Sequence, residues 1–124
     1  MNSYFRGRLL SVTHALRGLT ALFRSEPNAK IHAFATLLAV LASVFFRISP
    51  VEWALVAFAI TGVWVAEAMN TAIESVVDRV SSEIHPLSGR AKDVAAGGVL
   101  VAAVGALIIA GLVFGPRILK LLGI

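Results

Sequence analysis

Val94 to Phe114 is a run of 21 residues without a charged side chain. As a helix it is about 31 Å long, which matches the hydrocarbon core of a bilayer. Two shorter apolar runs precede it, Ile31–Phe46 and the fourteen uncharged residues Trp53–Ala66. Hydrophobic residues make up 58% of the chain and charged residues 15%, against about 25% charged in soluble domains. A soluble chain of 124 residues has no interior large enough to hide that much apolar surface, so the bilayer is the expected solvent. The length allows one domain. The absence of cysteine excludes disulfides and thiolate metal sites.

The expected architecture is an all-α membrane protein with three transmembrane helices after an amphipathic surface helix. Residues 4–24 place Leu9, Val12, Leu16, Leu19 and Phe23 on one stripe and Arg6, Thr13, Arg17, Thr20 and Arg24 on another. That is the pattern of a helix lying in the membrane interface, and Arg8, His14 and Arg17 interrupt any signal-peptide core. Ser25-Glu26-Pro27-Asn28 breaks and restarts the helix, with Pro27 at a first position and Glu26 as cap. The first span covers 29–48, with His32 near its start readable as an interfacial histidine or as a functional one. The second covers 51–80, anchored by Trp53, and the third 90–114, with Ser88 expected as its cap. Pro86 and Gly89 exclude a helix continuous through the intervening connection. Gly98, Ala102, Ala106 and Ala110 supply a small residue every fourth position for close helix packing.

Eight Lys and Arg fall on the side of the N-terminal arm and the second connection, three on the other. The arm and that connection are therefore expected in the cytoplasm, with the C-terminus external. The basic arm suits anionic lipid; nucleic acid is the poorer reading beside apolar spans.

Against this frame, the second span carries Glu67, Asn70, Glu74 and Asp78, which share an arc of about 80° on one helix face. Carboxylates at membrane depth cost about 2.5–3.5 kcal/mol each on insertion scales, which makes them functional candidates. Glu67 lies about 21 Å past Trp53 and Glu74 about 31 Å, so the stripe runs from lipid depth towards water. Glu26, Glu74, Asp78, Glu83 and Asp93 gather with Arg79, Arg90 and Lys92 on the cytoplasmic side. Carboxylates there suit Mg²⁺, and lysine and arginine suit phosphate. A buried Glu67 suits a general base. The combination fits a reaction between an aqueous phosphate donor and a lipid alcohol, although no GxxxxGK[ST] loop is present. A proton or cation conduit and a purely structural bundle remain open on these residues alone.

Glu67-Ala-Met-Asn70-Thr-Ala-Ile-Glu74-Ser-Val-Val-Asp78, followed by His85-Pro-Leu-Ser-Gly-Arg-Ala-Lys92-Asp93, closely resembles the prokaryotic diacylglycerol kinase family. These are small integral-membrane lipid kinases that include the undecaprenol kinases. The resemblance also covers Gly18, the Ser25–His32 segment and the spacing of all three spans. It implies a homotrimer with sites between subunits, and transfer of the γ-phosphoryl group of MgATP to a lipid hydroxyl. It further implies Glu67 as base with Asn70 beside it, and Glu26 with Glu74 as the Mg²⁺ pair. Asp78, Lys92 and Asp93 fall on nucleotide-site positions, with Glu83 and His85 near the nucleotide base.

The signals on substrate are mixed. Glu26-x-Asn28-x-x-Ile31-His32 and Asp93-Val-Ala-Ala-Gly97 are similar to the undecaprenol branch, whereas the diacylglycerol branch has a carboxylate at the position of His32. Ser82-Glu83-Ile84-His85 and Ser88-Gly89-Arg90 look more like the diacylglycerol branch, and Pro27 departs from the charged residue expected in the undecaprenol branch. The balance leans slightly to undecaprenol.

Overall fold

Pro27, Pro50 and Pro86 each stand in the first turn of a helix, where a residue without an N–H costs nothing. The helices they open follow an N-terminal one in the computed structural model, which describes residues 2–81 and 83–124: α1 (Ser3–Ser25), α2 (Pro27–Phe45), α3 (Pro50–Val80) and α4 (Pro86–Leu121). Ser82, part of one run resembling the diacylglycerol branch, lies outside the described residues. Helices α2, α3 and α4 are each long and apolar enough to cross a membrane. Their outward side chains stay uncovered, Phe34, Phe58 and Leu112 being 69%, 78% and 73% exposed. Surfaces of that kind are stable only with lipid as solvent.

The links between helices follow from local chemistry. Helix α2 closes with Arg47 in the left-handed region at φ 48°. Arg47 N–H donates to the Val44 carbonyl and Ile48 N–H to the Ser43 carbonyl, at 3.2 and 3.3 Å. This is the paired closure of a Schellman motif, and the buried Ile48 supplies its apolar contact. Ser49 then opens α3 with a capping box: Glu52 N–H donates to Ser49 Oγ at 3.2 Å and Ser49 N–H to Glu52 Oε2 at 2.8 Å. At the α1–α2 junction, Glu26 occupies the cap position but its side chain makes no capping bond, contrary to the sequence expectation. Pro27 alone defines that start.

Helix α4 differs most from expectation. It begins at Pro86, and its cap is His85, whose Nδ1 accepts the Leu87 N–H at 3.1 Å, rather than Ser88. Helix α3 ends at Val80 before α4 begins at Pro86, and Gly89 is inside α4. At the other end the helix runs past Phe114 and through Pro116 to Leu121. Arg117 is thereby carried to α3, where its two terminal nitrogens donate to Glu52 Oε1 and Oε2 at 2.8 and 2.9 Å. Its Nη1 also reaches the Val113 carbonyl at 2.6 Å. A planar guanidinium matched to a carboxylate fixes the register of α3 against α4 more tightly than apolar contact does.

Beside that pair sits the apolar core of Ile48, Val56, Val113 and Phe114, flanked by Phe46, Trp53, Ile60 and Ala110. Of the expected small-residue stripe, Ala102, Ala106 and Ala110 are partly covered while Gly98 is exposed. At mid-depth Trp64 Nε1 donates to Thr36 Oγ1 at 3.0 Å, tying α3 to α2. Helix α1 packs lightly across α2 and α3 and buries only Leu22. Its Leu9, Leu16 and Leu19 stay exposed, as an interfacial helix requires.

Truncating Phe114 (8% exposed) to alanine leaves a void, whereas Leu112→Ala removes atoms that faced lipid. Because lipid offers no hydrophobic transfer gain, Phe114→Ala should cost about 2 kcal/mol from the cavity and lost contacts. Leu112→Ala should stay within about 0.5 kcal/mol. Reversible unfolding in mixed micelles checks the difference.

Candidate functional site

The site is built along one face of the C-terminal half of α3. Uninterrupted helix from Pro50 to Val80 carries Glu67, Asn70, Glu74 and Asp78 in a line, as their spacing requires. Their environments are graded. Glu67 is fully buried, at 0% exposure, and Asn70 is buried at 7%. Glu74 is half-buried, and Asp78 is exposed. The line thus passes from a dry interior to water within three helical turns.

Glu67 is the largest fully buried side chain of the chain's described part. Neither of its carboxylate oxygens has a hydrogen-bond partner among the described residues. His32 Nε2, from α2, approaches Glu67 Oε2 to 3.3 Å without the alignment of a hydrogen bond. Asn70 Nδ2 instead donates to Glu74 Oε1 at 3.3 Å, one turn onward. The Asn70 carbonyl oxygen and Thr71 Oγ1 are also buried without a partner among the described residues. Unsatisfied polar atoms in such density mark a place where the structure meets a ligand or an ion rather than a packed core.

At the wet end, Lys92 Nζ from the second turn of α4 pairs with Asp78. The pair stands at the edge of a pocket of about 300 Å³ lined by Asp78, Glu83, His85, Ser88, Gly89 and Lys92. Ser81 Oγ donates to the Glu83 carbonyl at 2.6 Å and so shapes the backbone at the pocket mouth. Four of the sequence candidates therefore meet at one pocket: Asp78, Glu83, His85 and Lys92. Asp93 is exposed, does not line it and makes no ion pair among the described residues. Glu26 is half-buried at the α1–α2 junction, likewise unpaired among them. No three His, Asp or Glu side chains converge as a metal cage among the described residues. Hard oxygen donors in a sparse set nonetheless fit Mg²⁺, which keeps most of its waters and takes phosphate oxygens beside one or two carboxylates.

The second pocket, a groove of about 390 Å³, runs between α1 and α3. Ala15, Gly18, Leu22, Ala68 and Ala72 make it apolar, and Thr71 and Ser75 add hydroxyls. Two contacts went unread in the sequence, His32 with Glu67 and Glu52 with Arg117. Both join helices far apart along the chain, and neither belongs to a local spacing pattern.

The family model described as prokaryotic diacylglycerol kinase matches residues 13–114. The chain belongs to this family. It is 37% identical over 118 residues to an undecaprenol kinase of Bacillus subtilis, covering 95% of this chain and 93% of that one. It is 36% identical over 115 residues to a diacylglycerol kinase of Synechocystis, covering 92% of this chain and 66% of the relative. A diacylglycerol kinase of Escherichia coli is 37% identical over 95 residues, 77% of this chain and 78% of that one. Membership makes the chain a membrane lipid kinase that draws on ATP. The match takes in α2, α3, most of α4 and every candidate site residue from Glu26 to Asp93. The conduit and structural-bundle readings end here.

Proposed function

We propose that this kinase transfers the γ-phosphoryl group of ATP to the hydroxyl of a membrane lipid alcohol, with Glu67 as general base. The observation that carries the reading is the gradient along α3, from a carboxylate buried at 0% exposure to the Asp78–Lys92 pair at an open pocket. A lipid hydroxyl approaches from the membrane and a nucleotide from water, so a phosphoryl acceptor and donor meet between these ends. The lipid oxygen forms a bond to the γ-phosphorus as the bond from that phosphorus to the ADP oxygen breaks, and the hydroxyl proton passes to the Glu67 carboxylate. Little covalent work falls to the protein; positioning and charge neutralisation supply the catalysis.

Lys92 takes the phosphates, exchanging its present partner Asp78 for the nucleotide. Asp78 and Asp93 hold the nucleotide side of the site, and Glu83 and His85 flank the base at the pocket mouth. Asn70 aligns Glu74 through its amide. Glu74 and Glu26 are the residues that would hold Mg²⁺, which when bound neutralises charge on the phosphates. Glu26 and Asp93 lack partners in the described chain, which suits a site completed by a neighbouring subunit in a homotrimer. The basic residues of the N-terminal arm and the second connection support a cytoplasmic placement for both, with the C-terminus outside.

Undecaprenol is the favoured substrate over diacylglycerol. The near full-length match to an undecaprenol kinase and the histidine at position 32 support it. In vesicles containing one lipid or the other, ATP-dependent phosphorylation should be faster for undecaprenol by kcat/KM; faster turnover of diacylglycerol reverses the assignment. Glu67→Gln should lower kcat by about 10²–10⁴-fold with little change in the KM for ATP, the range for loss of a general base. Lys92→Met should act chiefly on the KM for ATP. Glu26→Gln and Glu74→Gln should each raise the Mg²⁺ concentration needed for half-maximal rate. Their double variant should be little worse than the poorer single, because both act on one ion.

A further inference from the structure

We propose that His32 is the positioning residue for Glu67, aiming its carboxylate through the imidazole Nε2–H. The proposal rests on the reading of Glu67 as general base. Glu67 is at 0% exposure with neither carboxylate oxygen hydrogen-bonded among the described residues, and a buried acceptor without a donor is costly. A general base must also be held in one orientation towards the hydroxyl it serves, and a donor on one oxygen does that while leaving the other free.

Among the described residues, the neighbours of Glu67 offer one imidazole or cationic donor, His32. Asn70, a turn along the same helix, directs its amide to Glu74 instead. Helix α1 faces this part of α3 with Ala15, Gly18, Leu19, Leu22 and Ser25, none of them charged. Lys92 is taken up by Asp78 two turns beyond Asn70. From α2, His32 Nε2 stands 3.3 Å from Glu67 Oε2, with its side chain only 16% exposed. Contacts of catalytic groups are often long and poorly aligned before substrate binds and tighten afterwards, and a small swing of the ring completes this one.

The ring itself is held. His32 packs edge-on to Trp64 with centroids 6.3 Å apart and planes at 68°. Trp64 in turn is anchored by its indole N–H on Thr36 Oγ1, one turn past His32 on α2. Thr36, Trp64, His32 and Glu67 thus form a continuous chain of support between α2 and α3. Outer groups of this kind orient the working residue, and their loss typically costs about 10–100-fold.

The test uses the intact enzyme in lipid vesicles. His32→Phe keeps a ring against Trp64 but has no N–H; His32→Gln keeps an N–H near the position of Nε2. His32→Phe should lower kcat by about 10–100-fold and leave the KM for ATP unchanged, and His32→Gln should recover most of the loss. In a Glu67→Gln background, His32→Phe should cost nothing further. If the phenylalanine variant does not fold, His32→Leu gives the same comparison. Equal impairment in the phenylalanine and glutamine variants would assign His32 to packing and overturn the proposal. Full activity of His32→Phe beside an inactive Glu67→Gln overturns the role of His32 alone. An active Glu67→Gln removes the base reading and this proposal together.

Discussion

With lipid as solvent, apolar side chains gain nothing by turning inward, and the few polar contacts decide how the helices sit. Leucines and phenylalanines cover the outside of α2, α3 and α4, while the fully buried large side chains are Glu67 and Ser43. Such an arrangement inverts the usual distribution of a soluble domain. Helix α3 is held to α4 by Arg117 on Glu52 at one end and by Lys92 on Asp78 towards the other. Between them, small residues of α4 allow close approach, and Trp64 on Thr36 holds α2 to α3. Packing, register and site geometry all depend on these polar pairs.

The two charged pairs differ in kind. Glu52 accepts from both terminal nitrogens of Arg117 and also serves in the Ser49 capping box, so its carboxylate is fully committed. It belongs to the scaffold. Asp78 and Lys92 form a single contact at the rim of an open pocket, and a lysine ammonium exchanges partners easily. Under the proposed function a nucleotide phosphate takes Lys92 from Asp78, and Arg117 on Glu52 with Trp64 on Thr36 then holds the helices. A rigid pair at one end of the helices and an exchangeable pair towards the other suit a protein whose chemistry occurs at one end of the bundle.

Much of this was legible in the residues. The 21 uncharged residues of Val94–Phe114 and the two shorter runs announce three spans, and the period of Glu67, Asn70, Glu74 and Asp78 places them on one face. The pocket joining Asp78, Glu83, His85 and Lys92 follows from the motif resemblance, since those residues come from both sides of one helix break. Local competition was harder to read. Ser88 has the better cap chemistry, yet Pro86 starts the helix sooner and leaves the cap to His85. Pro116 suggests an ending, yet α4 continues and delivers Arg117 to Glu52. The pairing of His32 with Glu67 is 35 positions apart and depends on how α2 leans on α3, which no periodicity encodes.

Helix α3 runs from Pro50 to Val80 with no glycine–proline pair or other break between Glu67 and Asp78. At 1.5 Å per residue the two carboxylates are separated by about 16 Å along a stiff rod. That rod acts as a depth gauge: once its ends are anchored at the two surfaces of the membrane, the level at which a hydroxyl must present itself is set in ångströms. A thinner or thicker bilayer moves the lipid headgroups relative to that mark, and the rod does not shorten to follow them. A tilt of the rod or a displacement of the lipid must make up the difference. With Glu67 in its proposed role, turnover should depend on membrane thickness separately from the chemical identity of the lipid.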